Sequence, residues 1–324
     1  MTEEQDWLSV WPTAQQPAPR QRAGRYLPAS TAHPAKMLPA IARTAIARYT
    51  RPGELVCDPM CGIGTTLVEA AHLGRHALGV EYEPRWAQVA RANLAHATTQ
   101  GAVGVGTVLT GDARHLLDLA PDDARGRVTL VLTSPPYGNS VHGQVNARPS
   151  QGVVKYDHRY AQPGARGNLA RAGEQVLLGA MEQILAACRV LLRPGGMVVL
   201  TARPWRRRGL LVDFPGALVR AGERAGLVCF ERHAALLVGL AGDRLIGRPS
   251  FFQLDRVRKA RAAGLPLRVI AHEDVLVFRA PETPQGSETL KRPQQPPTCP
   301  SQPPSLAGSH HPLADGPTTS GRPR

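Results

Sequence analysis

Residues 55–71 read Leu55-Val56-Cys57-Asp58-Pro59-Met60-Cys61-Gly62-Ile63-Gly64-Thr65-Thr66-Leu67-Val68-Glu69-Ala70-Ala71, and this stretch decides the fold. A short apolar run ends in an acid, a turn of proline and glycine follows, and a helical pattern begins at once. Strand, tight turn and helix in that order make one half of a βαβ unit. Glycine in the turn lets backbone amides approach a ligand closely at the helix start. The turn lacks the G-x-G-x-x-G of a dinucleotide site.

Upstream, His33-Pro34 opens a segment in which Met37, Ile41, Ala45 and Tyr49 recur every four residues, with Leu38 and Ile46 alongside, and this spacing predicts a helix. Downstream, Ala77–Glu81 reads as a second strand ending in an acid, with a helix over roughly 84–97. Val108–Asp112 and Val128–Thr133 read as third and fourth strands. Leu177, Met181, Ile184, Cys188 and Leu191 mark a long helix, Arg193-Pro194-Gly195-Gly196 a turn, and Met197–Leu200 a fifth strand. Such alternation predicts an α/β, Rossmann-like fold: a mostly parallel, doubly wound sheet that binds its ligands at the carboxyl ends of its strands.

The 324 residues include 32 Gly and 30 Pro, much of the proline lying near the termini. Residues 1–30 show no periodicity, and 281–324 carry eleven prolines in 44 residues, so both ends are expected to be disordered around one catalytic domain over 31–280. Hydrophobic residues at 42% support a sizeable core, and aromatics at 5% leave it to Leu, Val, Ala and Ile. Of the net charge of +14, −3 falls to residues 54–132 and +8 to 194–280, which favours a polyanionic partner for the second half. Five scattered cysteines without a C-x-x-C pair argue against a zinc site or disulfide framework, and no metal is expected. An acidic N-terminus and the lack of a long apolar run argue against secretion and membrane spanning, which leaves a cytoplasmic protein as the expectation.

Asp58, Glu81 and Asp112 stand at successive strand tips. Three acids on one rim suit a ligand with an ammonium, a ribose and an adenine amine, which describes S-adenosyl-L-methionine. At the fourth tip stands Thr133-Ser134-Pro135-Pro136-Tyr137-Gly138. Consecutive prolines remove two donors and leave carbonyls that only accept. The Ser134 hydroxyl and Pro135 carbonyl would take both N–H bonds of an exocyclic base amine and localise its lone pair for attack on a methyl sulfonium. Tyr137 would stack on a base turned out of its helix.

These residues resemble the DNA amino-methyltransferases that modify cytosine at N4 or adenine at N6. The family's tetrapeptide is [D/N/S]-P-P-[Y/F/W], and the serine form here is similar to the cytosine-N4 branch. D-P-M-C-G-I-G-T-T resembles the family's cofactor loop, with Met60 and Cys61 replacing the usual Phe and small residue. His33-Pro34-Ala35-Lys36 resembles the segment closing the cofactor pocket. The resemblance, which covers about residues 30–205, implies a class I methyltransferase fold with an antiparallel edge strand, formed by His272–Phe278. It implies S-adenosyl-L-methionine as cofactor, held by His33, Lys36, Asp58, Gly62, Gly64, Thr65, Glu81 and Asp112, with Ser134, Pro135, Pro136 and Tyr137 catalytic and DNA as partner. Phe251-Phe252 also resembles a late family segment, and plain sheet packing explains it equally well. No Pro-Cys dipeptide occurs, so the cysteine route to carbon-5 methylation lacks its nucleophile.

Residues 138–173, rich in Gly, Arg, Asn and Gln, are expected to form a long substrate loop. Arg148, Lys155, Arg159, Arg166 and Arg171 there, and Arg206, Arg207 and Arg208 after the fifth strand, would track phosphates, with Tyr156 and Tyr160 stacking on bases. Solvated loops are nearly as good an account of both clusters. The enzyme rival is an RNA methyltransferase acting on guanine N2, which uses a similar tetrapeptide with Asp or Asn first. Such enzymes usually carry an RNA-binding domain before the cofactor loop, where only about 50 residues stand here. A catalytically silent nucleic-acid-binding protein is the third reading.

Overall fold

The apolar runs between the glycine turns become the centre of a single sheet, buried on both faces. Successive strand residues point to opposite faces, so Val56 and Cys57, Leu130 and Val131, Val198 and Val199, and Val277 and Phe278 divide between two cores. The computed structural model describes residues 8–136, 145–148, 152–155, 168–207, 210–249 and 251–282.

The strands are β1 (Val10–Trp11), β2 (Leu55–Asp58), β3 (His76–Glu81), β4 (Gly106–Thr110), β5 (Val128–Thr133), β6 (Val145–Arg148), β7 (Gly152–Lys155), β8 (Leu192–Ala202), β9 (Trp205–Arg207), β10 (Leu210–Val212), β11 (Val228–Leu236), β12 (Gly239–Ala241), β13 (Arg244–Ile246) and β14 (His272–Arg279). The helices are α1 (Ala18–Arg22), α2 (Pro39–Tyr49), α3 (Thr65–His72), α4 (Pro84–Thr99), α5 (Leu116–Leu119), α6 (Glu174–Leu191), α7 (Phe214–Arg224) and α8 (Phe251–Ala262). Eight strands form the main sheet in the order β1-β11-β14-β8-β5-β2-β3-β4. Strands β8, β5, β2, β3 and β4 pair in parallel, and β14 runs antiparallel to both β8 and β11. Ile41, Ile46, Leu67 and Leu94 cover one face. Leu177, Met181, Ile184, Leu218 and Phe214 cover the other.

Three expectations are corrected. The helix foreseen from His33 begins at Pro39, because a proline takes the first helical position and holds Leu38 extended. Strand β14 is not an edge, since it lies between β8 and β11, and its Val275–Phe278 run is buried on both sides. Residues 8–30 are packed rather than disordered: β1 pairs with β11, Trp11 and Tyr26 are buried, and the Leu27 amide donates to Asn93 Oδ1 at 2.9 Å. These contacts reach across more than 60 residues and leave no local period to read.

Among the described residues no helix is long and apolar enough to cross a membrane, and no group of three or more His, Cys, Asp or Glu is placed to hold a metal.

Candidate active site

Strand order reverses between β2 and β5, which opens a crevice beyond their carboxyl ends. Asp58 ends β2 and Ser134 follows β5, so the cofactor loop and the tetrapeptide face each other across this crevice. Gly62 and Gly64 take φ of 56° and 81°, the left-handed region glycine tolerates. The Cys61 amide donates to the Val80 carbonyl at 2.9 Å and the Gly64 amide to the Cys61 carbonyl at 2.8 Å, which pins the turn against β3 and starts α3 at Thr65.

The buried Asp58 carboxylate accepts from Thr66 Oγ1 at 2.6 Å and from the Met60 amide at 3.1 Å. Thr66 Oγ1 also lies 3.3 Å from the Leu132 carbonyl, two residues before Ser134. Burial raises Asp58 to about 6, with Thr66 and the Met60 amide acting against it. Glu81, buried at the tip of β3, accepts from the Gly62 amide at 2.8 Å and the Glu83 amide at 2.9 Å. Asp112 lies two residues past β4, where it caps a turn through the Arg114 amide at 2.9 Å and pairs with the Arg114 guanidinium. Burial would push Asp112 up, but Arg114 outweighs it and holds the group below the ordinary carboxylate range.

His33 is buried edge-on to Trp86, ring centres 4.6 Å apart. Burial, with the Lys36 charge next, lowers it to about 3 and keeps it neutral. Lys36 donates to the His33 and Thr31 carbonyls, the latter at 3.2 Å, and burial lowers it to about 8. A Cβ on Gly62 would stand 3.2 Å from His33 Nε2, so the bare glycine lets the closing segment lie on the turn. Gly62→Ala is expected to cost about 1–2 kcal/mol of stability from the left-handed backbone alone. Urea unfolding should show that cost persisting in a His33→Ala background, where the contact is relieved. Equal stability of Gly62→Ala and wild type would refute it.

Two groups missed in the sequence complete the site. Glu69, on α3 and fully buried, takes both Arg25 bonds at 2.8 Å and Tyr26 Oη at 2.8 Å, tying the N-terminal segment to the helix that begins in the glycine turn. Asn168 Nδ2, ahead of α6, donates to Glu83 Oε1 at 2.7 Å, next to Glu81. The one sequence signal for Glu69 was a lone charge inside the apolar stretch 67–71.

Of the residues expected at the site, Asp58, Gly62, Gly64, Thr65, Glu81 and His33 converge on the turn, and Ser134, half-buried, with Pro135, buried, and Pro136 lies across from them. Tyr137, Tyr156, Arg159, Tyr160, Arg166 and Arg208 lie outside the described residues. Arg148 and Lys155 stand in the β6–β7 hairpin, and Arg206 and Arg207 in the β9–β10 hairpin.

The donor set suits a methionine-linked nucleoside. A buried carboxylate has acceptor capacity left for an ammonium, a second stands beside it for hydroxyls, and bare glycines leave room between them. This sheet order is that of a Rossmann-like, doubly wound α/β fold, and the rim is its candidate ligand site.

Residues 2–92 match the N6/N4 family model described as DNA methylase, the family whose motifs the sequence resembles. Two curated tRNA (guanine(10)-N2)-dimethyltransferases are also similar. That of Methanothermobacter thermautotrophicus is 32% identical over 142 residues, 44% of this chain and 38% of the relative. That of Methanocaldococcus jannaschii is 33% identical over 109 residues, 33% of this chain and 30% of the relative. The chain thus spans about a third of the length of the curated relatives it matches. Among solved structures, TrmN from Thermus thermophilus aligns with a TM-score of 0.47 at 18% identity, over 80% of this chain and 53% of that one. A methyltransferase of the O-methyltransferase type from Thermotoga maritima aligns with a TM-score of 0.44 at 12% identity, over 78% and 68%.

Proposed function

We propose that this chain methylates an exocyclic amine of a nucleobase in DNA, with cytosine N4 as the target atom. The observation that carries the reading is the placement of Ser134-Pro135-Pro136 at the end of β5, directly across the switch point from the Asp58 turn. S-adenosyl-L-methionine supplies an electrophilic methyl group there. The Ser134 hydroxyl and Pro135 carbonyl accept the two amine N–H bonds, which favours a pyramidal nitrogen and stabilises the positive charge that develops on it. Tyr137 stacks on the base. Asp58 would hold the cofactor's ammonium and Glu81 its ribose hydroxyls, while His33 and Lys36 close the pocket; Asp112 would reach the adenine amine only with acceptor capacity left beside its Arg114 partner. A cytoplasmic location suits the buried free thiols of Cys57, Cys61 and Cys188.

The serine at the head of the tetrapeptide and the DNA methylase match support DNA. The curated relatives support a second reading, guanine N2 in tRNA. Labelled methyl transfer to DNA and to tRNA, side by side, followed by mass spectrometry of the nucleosides, tests both. N4-methylcytosine is the expected product, N6-methyladenine would overturn the base, and N2-methylguanosine would establish the tRNA reading.

Asp58 gives a pH signature. Its folded value, about 6, lies above the 3.8 of an ordinary aspartate, so the folded protein holds the proton more tightly. The associated stability is present below about pH 4 and is lost as pH rises through about 6. Ammonium binding needs the carboxylate, so cofactor affinity should rise between pH 5 and 7. Calorimetry should find that rise absent in Asp58→Asn, and an unchanged rise in the variant would move the ammonium elsewhere.

A further inference from the structure

The segment joining β11 to β14, residues 237–271, drew notice in the sequence only for Phe251-Phe252 and for its share of the positive second half. It holds seven basic and two acidic residues, a net of +5. Because β14 is antiparallel to both β8 and β11, strand β11 runs parallel with the central strands. The segment therefore leaves the sheet at the same carboxyl edge as Asp58 and Ser134. The β6–β7 hairpin after β5 and the β9–β10 hairpin after β8 leave from that edge too. Along the rim, the β3 and β2 tips carry acids, while the β5, β8 and β11 tips give rise to three basic insertions.

Helix α8 dominates the third insertion. None of its described side chains is buried, and Arg258, Lys259 and Arg261 are exposed. Among the described basic side chains of α8, Lys259 alone has an acidic neighbour, Asp255, at 2.8 Å. Arg258 and Arg261 repel at a spacing of three, a repulsion that bound phosphates would relieve. The base of the insertion is firmly held: Thr13 Oγ1 donates to the Leu236 carbonyl at 2.8 Å, the Leu240 amide to Gln15 Oε1 at 3.1 Å, and Arg248 Nη2 to the Gln15 carbonyl at 3.0 Å. A helix with three exposed cations on an anchored base, on the substrate half of the rim, complements a chain of phosphates.

We propose that α8 is a nucleic-acid clamp in which Arg258, Lys259 and Arg261 bind backbone phosphates flanking the base presented to Ser134. The proposal rests on the nucleic-acid reading of the site and adds a contact surface to it. Each phosphate neutralised lowers the slope of log affinity against log salt by about 0.9.

The test titrates full-length protein with a fluorescent 20-base-pair DNA duplex and with a tRNA transcript, from 50 to 300 mM NaCl. The triple variant Arg258→Gln, Lys259→Gln, Arg261→Gln keeps good helix formers throughout. It should flatten the slope by about 2 to 3 and weaken low-salt binding roughly ten-fold or more, with cofactor affinity unchanged by calorimetry. The probe that shows the loss identifies the source of the phosphates. Single Arg258→Gln and Arg261→Gln variants leave the Asp255–Lys259 pair intact and should each remove about one unit of slope. Wild-type slope and affinity in the triple variant would overturn the clamp while leaving the methyltransferase reading in place. Wild-type protein that binds neither probe at 50 mM salt would overturn that reading and the clamp together.

Discussion

Ser134→Ala is expected to lower kcat by about 10²-fold, some 2.7 kcal/mol of transition-state stabilisation, while S-adenosyl-L-methionine affinity stays within about two-fold. The asymmetry follows from placement. Ser134 lies across the switch point from the β2 tip that carries Asp58, so under the proposed function its hydroxyl meets the base rather than the cofactor. An amine N–H bond strengthens as the nitrogen gains positive charge, and its loss is felt most at the transition state. Single-turnover methyl transfer combined with calorimetry separates the two effects. Ser134→Asn, which returns an acceptor oxygen, should recover part of the rate. A kcat within three-fold of wild type in Ser134→Ala would remove the serine from the chemistry.

Arg25→Ala is expected to cost about 3 kcal/mol, because it leaves the Glu69 carboxylate buried with its main counter-ion gone. Tyr26 keeps its bond, and Arg43, 4.0 Å away, screens part of the loss. At this size the change corresponds to a fall in Tm of roughly 6–12 °C. Arg25→Met with Glu69→Leu removes both charges at once and should cost far less, since no ion is stranded. Chemical unfolding of the three proteins decides it, and a loss below 0.5 kcal/mol in Arg25→Ala would show that the pair does not hold the N-terminal segment. Cofactor affinity should fall with stability, because the same segment ends in His33 over Gly62.

The central sheet was legible because its signals are local. Leu55–Asp58, Ala77–Glu81 and Val128–Thr133 are apolar runs closed by acids or prolines, and a parallel strand buried on two faces needs such a run. The glycine turn was legible for a similar reason: φ of 56° and 81° suits Gly62 and Gly64 and few other residues. The N-terminal segment was illegible because its order comes from single contacts with distant groups, Trp11 beside His233 and Tyr26 on Glu69. Asp112 shows a finer limit. Its spacing set it beside a strand tip, but the Arg114 guanidinium that occupies it is decided by how the chain turns after β4.

By itself, then, the sequence determined the alternating strands and helices, the glycine turn and the tetrapeptide, since each is written in neighbouring residues whose backbone preferences and periodicity act locally. Only the tertiary structure decided that β14 enters the sheet's interior, that residues 8–33 strap the cofactor turn, and that the insertion bearing α8 shares a rim with Ser134. Those outcomes depend on which distant surfaces bury one another. Burial is non-directional and summed over the whole chain, so no window of sequence contains it.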